Sequence, residues 1–274
     1  MKIREKVRKS AKYTSERVKK ISEKALACQG ARFNSFHHVY GEDLYEASKN
    51  TAMISFDLFA LEGFPVSFRN YKGAAARDLI NRDACGFVAA AIMEIEERNK
   101  NPEATKIENI IIDLTANGGG AMPVMPYLAG IMTKDPVSRV KDQTSGRIVE
   151  YHYECDFDGD GTFGDTYADK YNFAILVSSG SFSCATALPG MLKGTNVKIL
   201  GEKSAGGASP VTHFTDGCGI NYQTSGSNIM VYKEGEGKYT SIEEGTPVDY
   251  EIPEKDWYNL DVLDAKMKEI FAKA

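Results

Sequence analysis

The chain has 274 residues, 42% of them apolar and 26% charged, with a formal net charge of −5. That length suffices for one large domain or two small ones with a core of useful size. The acidic balance gives no general case for nucleic-acid binding, no apolar run is long enough for a membrane-spanning helix, and five cysteines without C-x-x-C spacing exclude a closed disulfide framework of all five and disfavour a cysteine zinc site.

The charge is concentrated at the start. From Met1 to Lys24 there are ten Lys or Arg against three Glu. The run MKIREKVRKSAKYTSERVKKISEKALA can form a helix with Ile3, Val7, Val18, Ile21 and Leu26 as apolar positions. No apolar stretch follows the basic residues, so the segment does not read as a signal peptide. A solvated basic helix is the plain reading, and a basic arm for an acidic partner or a membrane surface the sharper one. A third is that the segment replaces or truncates a longer N-terminal region.

Strands and helices then alternate. Thr51 to Phe59 reads as a strand, Ala74 to Arg98 as a helix ended by Asn101-Pro102, and Ile107 to Leu114 as a strand buried on both faces. Ala121 to Met132 is the next helix, Phe173 to Ser178 the next strand, Ala185 to Lys193 a helix and Val197 to Gly201 a strand. The region from Ser138 to Tyr171 interrupts this order with a β-like segment, Arg147 to Tyr153. Asp261 to Lys273 is an amphipathic C-terminal helix. Such alternation predicts an α/β fold with parallel pairing and right-handed crossovers.

Three strand-end loops carry chemistry. Asp113-Leu-Thr-Ala-Asn-Gly-Gly-Gly120 enters a helix, where converging amides favour a phosphate or an oxyanion; the glycines equally suit a tight bend. In Ser178-Ser-Gly-Ser-Phe-Ser-Cys-Ala-Thr186 a serine can project a nucleophilic hydroxyl, or simply cap the helix. Gly201-Glu-Lys-Ser-Ala-Gly-Gly-Ala-Ser-Pro210 implies an unusual backbone and, by itself, nothing more.

Taken in order, IIIDLTANGGG, ILVSSGSFSCATALPGMLK, VKILGEKSAGGASPV and EEGTPVDYEIP resemble the motifs of the C-terminal-processing (tail-specific) serine peptidases, over roughly Asn50 to Pro253. The resemblance implies a crotonase-like α/β core with a parallel-rich sheet and flanking helices. It implies a basic N-terminal helical segment and linker over 1–49, a catalytic domain over 50–256 with an inserted loop at 134–171, and a C-terminal helix over 257–274. Ser183 matches the nucleophile, with Ser181 and Ser179 as misregistration alternatives. The amide of Cys184 and an amide in the Gly118–Gly119 turn match the oxyanion hole. Thr115 stands where the pattern has Arg, and Val248 where it has Pro.

A serine hydroxyl needs a base. One branch of the family supplies a lysine, but the matching position here is Gly207 or Ala208, and Lys203 reads as a charged turn residue. The sequence therefore lies nearer the tricorn-like and chlamydial protease-like-factor branch, with a histidine base and a supporting glutamate, Glu243 in preference to Glu244. The four histidines are His37, His38, His152 and His213. His38 or its neighbour His37 stands upstream as that branch requires; His213, after the glycine-rich loop, could fall near the serine.

Asp156-Phe-Asp-Gly-Asp-Gly places Asp156, Asp158 and Asp160 at calcium-loop spacing. Position twelve is Tyr167, so Asp165 or Asp169 would have to substitute; an acidic surface turn is the alternative. No cofactor is required, and any calcium would be structural. Cys184 reads as a small packed residue at a helix start, not a nucleophile.

The expected function is endopeptidase hydrolysis of peptide or protein substrates. The alternatives are a degenerate domain that binds peptides or a partner without cleavage, and an acyl-CoA enzyme using the same oxyanion geometry. The family's upstream helical and PDZ-like parts are largely missing, which points to a homo-oligomer, a partner chain or an absent N-terminal region. Relatives are mostly exported.

Overall fold

The computed structural model describes residues 15–36, 43–61, 78–157, 160–207 and 209–272. Residues 1–14, the histidines His37 and His38, Asp158, Ala208 and the expected helix start at 74–77 lie outside them. In chain order the elements are α1 (Ser15–Ser35), β1 (Glu46–Ser48), β2 (Thr51–Ser55), α2 (Ala84–Lys100), β3 (Asn109–Asp113), α3 (Val124–Met132), β4 (Val137–Asp142), β5 (Ile148–His152), β6 (Asn172–Val177), α4 (Cys184–Leu192), β7 (Lys198–Gly201), β8 (Val211–Thr215), β9 (Asn221–Ser225), β10 (Asn228–Gly235), β11 (Lys238–Ser241), β12 (Tyr250–Glu251) and α5 (Leu260–Phe271).

The main sheet runs β1-β2-β3-β6-β7-β12. All neighbours pair in parallel except β1, which is antiparallel to β2. A parallel sheet joined by helical crossovers must be covered on both faces, and the alternating side chains divide accordingly. Ile110, Ile112, Phe173, Ile175 and Ile199 pack with apolar residues of α2, α3 and α4. Ile111, Ala174, Leu176 and Leu200 pack with Cys28 of α1 and with Trp257, Leu263 and Met267 at the C-terminal end. Each buried isoleucine contributes about 1.5–3 kcal/mol relative to exposure. The helix boundaries follow local signals: Asp83 accepts from the Gly86 amide at the start of α2, and Asn101 ends it.

One expectation is corrected by this packing. The basic helix is not solvated on all sides, and its buried face is not the expected apolar set: Val18 and Leu26 are exposed, whereas Cys28, Arg32 and the following Phe36 are buried. Helical spacing of Ala25, Cys28 and Arg32 sets that face. Cys28 and Phe36, together with Trp257, Leu263, Met267 and Ile270, complete the apolar cluster on this face of the sheet.

The interrupting region supplies β4 and β5, which join β10 and β11 in a second, antiparallel sheet of order β11-β10-β4-β5. Strands β8 and β9 form a ribbon that pairs only with itself among the described strands, and both are exposed along their length. No helix among the described residues is long and apolar enough to cross a membrane.

Candidate active site

The parallel strands β3, β6 and β7 end side by side and deliver all three loops to one edge of the sheet, as the parallel register requires. In the loop between β6 and α4 the serines separate by role. Ser178 and Ser181 are fully buried; Ser178 Oγ donates to the Thr115 carbonyl at 2.5 Å and Ser181 Oγ to the Leu114 carbonyl at 2.6 Å. Exposed Ser179 donates to the Glu202 carboxylate at 2.9 Å. Ser183 makes no side-chain capping bond, so the cap reading does not describe it.

Ser183 has φ 57° and ψ −119°, a left-handed conformation that costs a non-glycine residue about 1–3 kcal/mol and persists only where its surroundings enforce it. The surroundings do so here. The Ser183 amide donates to the Gly206 carbonyl at 2.8 Å, the Phe182 amide to the Asn117 carbonyl at 3.0 Å, and the Thr186 and Ala187 amides both donate to the Ser183 carbonyl. Gly119, at φ +99°, lies against this elbow: a Cβ there would stand 2.6 Å from Ser183 Cβ.

The triple glycine resolves into different roles. The Gly118 amide donates to the Asp57 carbonyl at 3.3 Å, and the Gly119 amide to Asn117 Oδ1 at 2.8 Å. Gly120 and Cys184 line the same cavity as Ser183, and neither amide donates to a backbone carbonyl among the described residues. The Cys184 thiol donates to the Gly120 carbonyl at 3.2 Å, and burial pushes its pKa up, so it stays protonated.

Helix α1 braces these loops from the buried side. Arg17 donates to the Ala205 carbonyl at 2.7 Å and the Glu243 carbonyl at 3.3 Å. Lys24 pairs with Glu202 and Glu254 at 3.4 and 2.7 Å. The Ala25 backbone lies against Gly180, where a Cβ would meet it at 2.9 Å. Arg32 holds Asp113 Oδ2 at 3.0 Å and both Asp57 oxygens at 2.7 Å. Asp113 is fully buried, and its other oxygen accepts from Thr115 N and Oγ1 at 2.9 and 2.6 Å. The two flanking carboxylates, acting against the cost of burial, raise the Arg32 pKa further above its usual value. Thr115, where the resemblance led one to expect arginine, thus supports the loop through Asp113 and a 2.7 Å contact with Tyr258 OH.

The cavity holds about 200 Å³. Met122, Met125, Val211 and Met230 give it an apolar lining, and His213 borders it together with Ser183. His152 lies elsewhere, on β5, with Nδ1 3.0 Å from Asp135. His38 and His37 fall outside the described residues. Lys203 does not line the cavity. Glu243 is buried beside the glycine-rich loop, its carbonyl accepting from the Gly207 amide at 3.3 Å, but it does not line the cavity either. Glu244 is exposed and pairs with Arg17 at 3.5 Å. The sequence offered no signal for Arg32, and for His213 only its place after the glycine-rich loop.

In the inserted region, single carboxylate oxygens of Asp156, Asp160 and Asp165 all lie within 4.8 Å of one another. Amides of Asp160 and Gly161 already donate to Asp156. Asp169 instead pairs with Lys134 at 2.6 Å.

Residues 85–249 match the family model described as Peptidase family S41. Among solved structures, the chain is similar to a photosystem II D1 C-terminal processing protease, with 18% identity and a TM-score of 0.50, covering 74% of this chain and 42% of that one. It is also similar to a lipoprotein from Streptococcus agalactiae, with 15% identity and a TM-score of 0.50, covering 88% of this chain and 74% of that one. These likenesses are of fold, and the chain spans less than half the length of the processing protease. Among functionally curated proteins no sequence matches.

Proposed function

The chain belongs to peptidase family S41, and from that membership we propose that it is a serine-type endopeptidase on a crotonase-like core, with Ser183 as nucleophile. One observation carries the reading. Ser183 sits at a strand-to-helix elbow with φ 57°, facing a cavity it shares with Gly120 and Cys184. Such an elbow lifts a hydroxyl clear of its own helix. Ser183 Oγ attacks the scissile carbonyl carbon, and the negative charge that develops on oxygen needs donors already in place. The amides of Cys184 and Gly120 serve, because those of Gly118 and Gly119 are committed to Asp57 and Asn117. Each such donor is worth about 3 kcal/mol in the transition state. Gly119 contributes by having no side chain, which lets the two loops touch.

The substrate is a peptide or protein, and the apolar lining favours an uncharged, medium-sized side chain next to the scissile bond. Glu243 supports the glycine-rich loop through its backbone. The absence of a family-type lysine does not favour a binding-only domain, since a histidine borders the same cavity. The reading is checked by fluorophosphonate labelling of wild type and Ser183→Ala. Covalent labelling that disappears with the substitution is expected; labelling that survives it overturns the assignment.

A further inference from the structure

We propose that His213, carried by the β8–β9 ribbon and oriented by Gln223, is the general base for Ser183. The inference rests on the peptidase reading and adds the proton acceptor which that reading lacks.

The cavity lining contains two titratable side chains, His213 and Cys184. The Cys184 thiol is held protonated by burial and directs its hydrogen to the Gly120 carbonyl. Among the described residues, no lysine and no carboxylate lines the cavity. Imidazole is the side chain best suited to exchange a proton near neutral pH.

The placement of His213 follows from strand geometry. Val211 and His213 are two apart on β8, so they share a face, and both border the cavity. The ribbon's register sets Gln223 directly opposite His213, and its amide lies 3.2 Å from His213 Nδ1. The two ends of a glutamine amide are assigned, not seen, so either can face the ring. With Oε1 towards the ring, Nδ1–H donates to Gln223 and Nε2 is left as the proton acceptor. No charged residue is opposed to His213 on β9, and α4 with its N-cap Ser183 offers only Ser183, Cys184 and Ala187 to the cavity, none of them charged.

The ribbon can bring the ring to the hydroxyl. It pairs with no other described strand, is exposed throughout, and follows Gly206 and Gly207, both at left-handed φ.

The chemistry balances. As Ser183 Oγ bonds to the carbonyl carbon, its proton passes to His213 Nε2. The imidazolium then gives that proton to the leaving amine as the C–N bond breaks. Water attacks the acyl-serine, loses a proton to Nε2, and the proton returns to Ser183 as the acid product departs.

The experiment uses the full chain with a fluorophosphonate probe and a fluorogenic casein. His213→Ala should lower kcat/KM by about 10²–10⁴-fold and slow labelling comparably, with an unchanged melting temperature. Added imidazole should restore part of the activity. The acid limb of the pH profile, where protonation of the base stops turnover, should be lost in the residual activity. Gln223→Ala should lower kcat more than it raises KM and displace that limb. His152→Ala serves as a neutral control. If labelling depends on Ser183 but not on His213, the inference falls and the peptidase reading stands. If His38→Ala abolishes activity and His213→Ala does not, the base is the upstream histidine. If wild type shows no Ser183-dependent labelling, both fall. A melting temperature lowered by His213→Ala is answered by His213→Gln, which keeps a polar side chain on the strand and must lose activity as well.

Discussion

Two regions meet at Ser183. On one side are the loops after β3, β6 and β7: buried, hydrogen-bonded to one another and clamped by α1 through Arg17, Lys24 and Arg32. On the other is the β8–β9 ribbon, exposed along its length and paired only with itself. The buried loops hold the strained serine and, on the proposed reading, the two amides that would meet the developing charge. The ribbon holds His213, the proposed base, which would gain from moving because substrate has to enter before the base closes on it. Preorganisation where charge develops and freedom where access is needed are complementary requirements of one site.

The comparison predicts that substitutions in the buried loops cost stability, whereas substitutions in the ribbon cost activity alone. The largest effect is expected for Arg32→Met, which strands the fully buried Asp113 carboxylate without its guanidinium. Loss of one partner of a buried pair costs about 3–5 kcal/mol, read by urea denaturation. A loss under 1 kcal/mol would mean that α1 is not a clamp.

Gly119→Ala comes next. Its Cβ would meet Ser183 Cβ at 2.6 Å and the Phe182 carbonyl at 2.9 Å, with φ at +99°. Overpacking of this kind costs about 1–3 kcal/mol, and the displaced elbow should lower kcat at least about 100-fold. A stable, active Gly119→Ala would show that the two loops need not touch.

A smaller, pH-dependent effect is expected at Asp264 of α5. Burial opposes its ionisation, but hydrogen bonds from Lys268, Thr51 and the Asn50 amide outweigh that, and hold its pKa below the ordinary carboxylate value. A depressed folded-state pKa stabilises the fold above the unfolded value of about 3.9 and is lost as pH falls through the folded one. Asp264→Asn should therefore cost about 1–2 kcal/mol at pH 7, with the gap to wild type closing only below about pH 4. A gap independent of pH down to 2 would contradict the assignment.

The smallest stability change belongs to the ribbon. Phe214 stacks on Tyr222 at 5.5 Å, and both are largely exposed. Phe214→Ala should shift stability by no more than about 0.5 kcal/mol while lowering kcat/KM measurably. A ribbon substitution that melts the whole domain would erase the distinction between the two regions.

Much of the buried region is legible in the sequence. The run around Ile110–Ile112 read as a two-faced buried strand because only burial on both sides tolerates it. The strand ending at Val177 and the helix beginning at Cys184 fell within a residue or so of their expected bounds. The α1 face was misread because its key contact is an arginine: Arg32 is buried only because Asp57 and Asp113 converge on it from distant positions in the chain. Strands β8 and β9 are not legible because polar, exposed ribbons lack a one-sided apolar alternation.

By itself, the sequence determined the order of strands and helices, the three strand-end loops and the serine at the head of α4, because periodicity, breakers and glycine runs are local properties. Only the tertiary structure decided which glycine amides are committed to other loops, which serine took the strained elbow, and which of the described histidines shares its cavity. Those outcomes depend on hydrogen bonds and packing between segments far apart in the chain, and no local pattern encodes where such segments meet.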